Sequence, residues 1–243
     1  MSGTAGTAAP GAPPSRVARI KRQMQDGAHA AVEPLVTMLF RLGVQADHLT
    51  IAGLVLSALS GLAFYAGHTR TGALMLLLAG LCDILDGELA RRAGLESRFG
   101  AFLDSTLDRL SEAVVLLGIL GFYLRNLYAL VLHPERALLQ ISTGLEPLTW
   151  AVMAFTAALA LVGSFMVSYT RARAEGLGRD CKVGWFERPE RLVLIVVAGL
   201  LKVFWAMSAA LLLLAVLSFA TAAPRVAHVH RNTRLAGADQ LGG

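Results

Sequence analysis

Charge is scarce in this chain of 243 residues: only 16% are Asp, Glu, Lys or Arg, where an ordinary soluble domain carries roughly 25%. That argues against a soluble globular enzyme. Cysteine is scarcer still. Cys82 and Cys181 are the whole complement, too few for a disulfide scaffold, and Cys82 falls inside an apolar segment. Residues 2–14 contain no charged side chain and no periodicity, so they form a disordered tail, without the basic start and apolar core of a cleaved signal peptide. No nucleic-acid motif accompanies the net charge of +5.

What is present is apolar surface. Hydrophobic residues make up 55% of the chain and the mean hydropathy is +0.58, with long apolar stretches set between clusters of Arg and Lys. This composition predicts an all-α, polytopic integral membrane protein of one domain over 15–230, with a carboxyl-terminal tail at 231–243. From Ser15, a candidate helix cap, to about Gln45, apolar residues alternate with charges. Leu35, Met38, Leu39 and Leu42 form a narrow stripe, so an N-terminal amphipathic interfacial helix is expected. Six transmembrane helices follow near 48–66, 71–92, 99–124, 147–172, 189–203 and 205–223. The fifth is short and Lys202 makes its junction with the sixth tight. In this arrangement the inner segments carry most of the arginines and lysines, the outer ones only Arg70, Arg125, Arg136 and Lys202. The asymmetry places both termini in the cytoplasm of a plasma-membrane protein.

Four carboxylates interrupt the second and third spans: Asp83, Asp86, Asp104 and Asp108. At mid-membrane depth each costs roughly 2.5–3.5 kcal/mol on insertion scales, on the order of 10–14 kcal/mol together. Helical spacing puts Asp83, Asp86, Gly87 and Ala90 along one face and Gly100, Asp104 and Asp108 along another. The short turn from Arg92 to Arg98 predicts that the two helices pack as antiparallel neighbours, with carboxylate facing carboxylate. Protonation or bound divalent cations would relieve the repulsion. With no His or Cys at ligand spacing, an oxygen-only site suits magnesium or manganese better than zinc. The bland alternative is a set of helix-packing salt bridges with Arg91 and Arg109.

The segment Asp83-Ile-Leu-Asp86-Gly87-Glu-Leu-Ala90-Arg91, with Gly100, Asp104 and Asp108 after it, reads D-x2-D-G-x2-A-R-x8-G-x3-D-x3-D. It resembles the signature of the CDP-alcohol phosphatidyltransferases at every fixed position and gap. That resemblance implies a six-helix membrane enzyme, commonly a homodimer, that displaces CMP from a CDP-linked lipid with an alcohol. It implies two divalent metals (Mg2+ or Mn2+) held by Asp83, Asp86, Asp104 and Asp108, with Asp108 as the proton acceptor. It also implies CDP contacts through Gly87, Arg91 and Ser97, and through Asp47 and Thr50 in an upstream D-x-x-T stretch. Asp47 and Thr50 read equally well as a helix cap and its turn.

The acceptor is addressed by Ser168-Tyr-Thr-Arg171-Ala-Arg173-Ala-Glu175 and by Glu187-Arg188-Pro-Glu190-Arg191. These blocks resemble those of prokaryotic phosphatidylinositol phosphate synthases and their archaeal ether-lipid counterparts. The implied reaction carries a phosphatidyl group from CDP-diacylglycerol to inositol 1-phosphate, with the acceptor phosphate bound by Arg171, Arg191 and Arg225. A basic cluster beside the metal site suits a phosphorylated polyol, although arginines at helix ends also anchor to anionic lipid. The alternatives are a phosphatidylglycerol phosphate synthase using glycerol 3-phosphate, an intramembrane metal-ion or proton transporter, and a non-catalytic scaffold. CMP release that depends on a CDP-lipid and magnesium separates the enzymes from the last two.

Overall fold

In the computed structural model the chain is described over residues 32–94, 97–133, 145–178, 181 and 183–241, the last ten as backbone alone. The predicted tail at 1–14, the Ser15 cap and the basic run Arg16–Arg22 lie outside them. The described residues form seven helices and no strand. They are α1 (32–41), α2 (Ala46–Ala66), α3 (Thr69–Ala93), α4 (Arg98–Leu132), α5 (Pro147–Gly176), α6 (Arg188–Leu201) and α7 (Phe204–Leu241).

Local chemistry sets several of the ends. α2 stops at Gly67, whose φ of 87° is left-handed and costs glycine nothing, and α3 begins two residues later. Ser97 caps α4 by accepting a hydrogen bond from the Gly100 N–H at 2.9 Å. Pro147 opens α5, where its missing N–H is no loss. Glu187 and Glu190 close a capping box around the start of α6. Lys202 takes a left-handed φ of 55° between α6 and α7, which is how the tight junction expected there is made.

Four helical stretches are long and apolar enough to cross a membrane: Ala46–Ala66, Arg98–Leu132, Pro147–Gly176 and Phe204–Arg231. The other two expected spans fall short for different reasons. Every 18-residue stretch of α3 includes at least three charged side chains, Asp83 and Asp86 among them. α6 has 14 residues, about 21 Å of helix against a hydrocarbon core of about 30 Å. α4 and α7 outrun their expected ends at 124 and 223. α7 continues through Pro224 to Leu241, so the boundary expected at 230/231 falls inside a helix.

The helices pack in the ring order α2, α3, α6, α7, α5, α4 and back to α2. The expectation that the second and third spans pack directly is therefore corrected. α3 and α4 are not a closely packed pair, because α2 lies against both. Small residues allow that approach: a Cβ on Gly61 of α2 would stand 2.6 Å from the Val114 carbonyl of α4, and one on Gly118 would run into the Gly61 carbonyl.

α1 rests on α3 through Val32 and Val36, which pack with Leu85 and Leu89. Of the expected stripe, Leu35 and Leu39 are partly buried there, while Met38 and Leu42 are exposed. The stripe is rotated because the i, i+4 pair on α1 meets the i, i+4 pair on α3. Arg92 fixes the contact by donating to Glu33 and Thr37, both at 2.8 Å.

Candidate active site

α3, α5 and α7 run toward one end of the ring, and α2, α4 and α6 start there. That end gathers the chemistry-bearing residues. One carboxylate oxygen from each of Asp83, Asp104 and Asp108 lies within 4.8 Å of the other two. They reach one point from α3 and α4 although those helices are held apart, because the gap between the helices is where the carboxylates project. Asp86, 6% exposed, turns to α2 and accepts a hydrogen bond from the Thr50 hydroxyl at 2.7 Å. Thr50, Asp83, Asp86, Asp108 and Arg188 line one small pocket.

The partner cation of the aspartates comes from an unexpected helix. Arg91 pairs with Glu88 at 2.9 Å and Arg109 donates to the Ser105 carbonyl, so neither supplies the salt bridge considered from the sequence. Arg188 of α6 does: its Nη1 stands 2.8 Å from Asp83 and 2.6 Å from Asp108. Sequence reasoning counted Arg188 among the basic residues and missed this role. The signal was available in Glu187-Arg-Pro-Glu190, a capping box with proline in its first turn that fixes where the next arginines emerge.

A cavity of about 350 Å³ adjoins the aspartates, and Asp108, Glu112, Arg171, Arg188, Arg191 and Arg225 are among its lining. The three arginines expected at an acceptor phosphate are thus brought together, and of the four aspartates only Asp108 faces them. Arg191 is 1% exposed and held by Glu112, a residue the sequence did not flag, through Nε at 2.6 Å and Nη2 at 2.8 Å. With its bond to the Phe186 carbonyl, three of the five guanidinium N–H groups are engaged, leaving two for a ligand. Arg225, 2% exposed, donates to the carbonyls of Val183 and Val167 at 2.7 and 2.6 Å. It ties α7 to α5 and to the segment leading into α6. Arg171 reaches Glu175 at 2.9 Å and Glu187 at 3.6 Å.

The expected CDP contacts are more dispersed. Thr50 joins the aspartates. Asp47, Gly87, Arg91 and Ser97 line neither of these two cavities. Asp47 is exposed in the first turn of α2, and the cap position there belongs to Gln45, which corrects the reading of Asp47 as a cap. Ser97 is engaged as the α4 cap, and the Arg91 guanidinium lies 3.6 Å from where a Cβ on Gly87 would stand.

Known proteins are similar to this chain in sequence and fold. The profile of the CDP-alcohol phosphatidyltransferases matches residues 44–222. An archaetidylinositol phosphate synthase of Methanothermobacter thermautotrophicus is 38% identical over 194 residues, covering 78% of this chain and 85% of that enzyme. A phosphatidylinositol phosphate synthase of Mycobacteroides abscessus is 31% identical over 198 residues, 79% of this chain and 80% of the relative. The crystal structure of Mycobacterium tuberculosis phosphatidylinositol phosphate synthase with CDP-DAG bound superposes with a TM-score of 0.64 at 32% identity, over 81% of this chain and 92% of that one. With the complete aspartate signature on α3 and α4 inside the matched region, the chain belongs to the CDP-alcohol phosphatidyltransferase family.

Proposed function

We propose that this enzyme transfers the phosphatidyl group of CDP-diacylglycerol to inositol 1-phosphate and releases CMP. The observation that carries the reading is the position of Asp108, which belongs to the aspartate group and also faces the arginine-lined cavity. An acceptor whose phosphate sits among Arg171, Arg191 and Arg225 presents its hydroxyl toward that carboxylate. Asp108 then accepts the hydroxyl proton as the new phosphate ester bond forms and the bond to CMP breaks. Burial, with the Glu112 carboxylate on Arg191 and two backbone carbonyls on Arg225, fixes both guanidinium groups before the ligand arrives, which keeps the acceptor from turning.

Asp83, Asp104 and Asp108 fit a hard divalent ion: the donors are all carboxylate oxygens and they already converge. Asp86, at the next turn of α3, completes the set for two ions. Magnesium or manganese held by these aspartates would supply positive charge against that growing on departing CMP. Relatives named for archaetidylinositol and phosphatidylinositol phosphate synthesis support the substrate assignment. So does the neighbouring structure with CDP-DAG, and one with manganese and citrate supports the metal. Gly87 and Arg91 are assigned to the CDP moiety by the signature, Ser97 by its place in the gap within it, and Asp47 by the upstream D-x-x-T stretch.

The same reading makes α3 and α6 the second and fifth of six spans, with all their charges except Arg70 gathered at the cytoplasmic end of the ring. The acid end and both termini face the cytoplasm of the plasma membrane, and the chain works as a homodimer. The test offers purified protein radiolabelled CDP-diacylglycerol with inositol 1-phosphate, glycerol 3-phosphate, free inositol or serine, with and without magnesium. Magnesium-dependent CMP release with inositol 1-phosphate is expected. Preference for glycerol 3-phosphate would reassign the acceptor, and absence of CMP release with all four would return the transporter reading.

A further inference from the structure

Among the described residues, Arg188 is the only one besides Asp108 that lines both the aspartate pocket and the arginine cavity. A single nitrogen, Nη1, bridges Asp83 and Asp108, two of the three carboxylates that converge on one point. Its backbone is anchored: Arg188 is the first residue of α6, flanked by Glu187 and Pro189 inside a closed capping box. Its side chain is long and only its head is committed. A cation at that point and a divalent ion bound among the same carboxylates compete, since both draw on the same negative charge and they repel each other at such short range.

We infer that Arg188 is an exchangeable counter-cation, which holds Asp83 and Asp108 together until a divalent ion displaces it and then turns its guanidinium into the adjoining cavity to meet the phosphate of the acceptor. The other cations there already carry partners: Arg191 has Glu112, Arg225 two carbonyls, Arg171 Glu175 and Glu187, and Arg109 the Ser105 carbonyl. Displacing Arg188 therefore delivers a new positive charge to the anion cavity at the moment the metal site fills. Metal binding and phosphate binding become coupled through one side chain, and by linkage each strengthens the other. Arg188 is in this sense a positioning residue for the aspartates and a binding residue for the anion in turn.

The inference rests on the metal site proposed above, and the experiment separates the two. Full-length protein in detergent is titrated with Mn2+, with free Mn2+ followed by electron paramagnetic resonance. In the absence of substrate, R188Q is expected to bind Mn2+ at least about fivefold more tightly than wild type, the low end of ordinary coupling factors. R188K, which keeps a charge, falls between. The thermal midpoint of R188Q rises more with Mn2+ than that of wild type, because its metal-free form has lost the cation between Asp83 and Asp108. Calorimetric binding of inositol 1-phosphate is tightened by Mn2+ by a larger factor in wild type than in R188Q. Equal or weaker Mn2+ binding in both variants overturns the exchange, and equal tightening of inositol 1-phosphate overturns the turn toward the anion. If neither wild type nor the variants bind Mn2+, the metal site itself fails and this inference with it.

Discussion

At one end of the ring Trp150 meets the rings of Phe122, Tyr123 and Phe204 at centroid distances of 5.9, 6.1 and 5.2 Å. At the other end Arg188, Arg191 and Arg225 each bind a carboxylate or carbonyl supplied by another segment. Both ends draw on α4, α5 and α7, so the contrast lies in what the side chains require. Ring contacts are satisfied by shape and hold the same geometry whatever binds elsewhere. Charges out of water need a partner at all times, and a partner can be exchanged for a better one. The ring is thus closed by shape at one end and by charged pairs at the other, the end where the proposed function places substrate and ion.

Substitutions test that division, from the largest effect down. Asp108→Asn, nearly isosteric, should cut CMP release by about 10²–10⁴-fold and lower the thermal midpoint in detergent less than Glu112→Gln does, because Arg188 keeps its pairing with Asp83. Activity within a few-fold of wild type would remove Asp108 as the base. Glu112→Gln leaves Arg191 buried without its countercharge and should destabilise the protein by about 3–5 kcal/mol. A neutral effect on unfolding would mean the acid end does not depend on that pair. Trp150→Ala removes three ring pairs worth roughly 0.5–1.5 kcal/mol each. The loss should appear as a lower unfolding temperature with acceptor preference intact, and an altered choice between inositol 1-phosphate and glycerol 3-phosphate would break the separation of the two ends. Thr50→Val leaves Asp86 without its donor, a hydrogen bond to a charged group worth about 1.5–3 kcal/mol. The expected readout is weaker donor use, seen as a raised apparent KM for CDP-diacylglycerol.

The aspartates were legible because a charged group in an apolar segment is costly, and four at helical spacing have few reasons to exist. The arginines of the anion cavity were legible as a cluster, since Arg171, Arg191 and Arg225 follow from motif and charge. Their partners were not. Glu112 sits one turn beyond Asp108 with nothing in its neighbourhood to mark it, and only the position of α6 pairs it with Arg191. The direct packing of α3 on α4 was inferred from a short connection, but a short connection fixes sequence proximity of helix ends and leaves the rest of their length free. The close approach at Gly61 and Gly118, 57 residues apart in sequence, gave α2 the place beside both.

The amino-acid order alone determined that this chain is helical and apolar and that four aspartates recur at helical spacing in two successive apolar segments, while the reaction came from the resemblance of that motif to a known family. Periodicity, insertion cost and motif spacing are all local in sequence. Tertiary structure alone decided that Arg188 is the cation on Asp83 and Asp108, that Glu112 holds Arg191, and that Asp108 is the aspartate facing the arginines. Each is a pairing between helices 79 or more residues apart or a choice among neighbours on one helix. Such pairings depend on how the ring closes, which no single segment encodes.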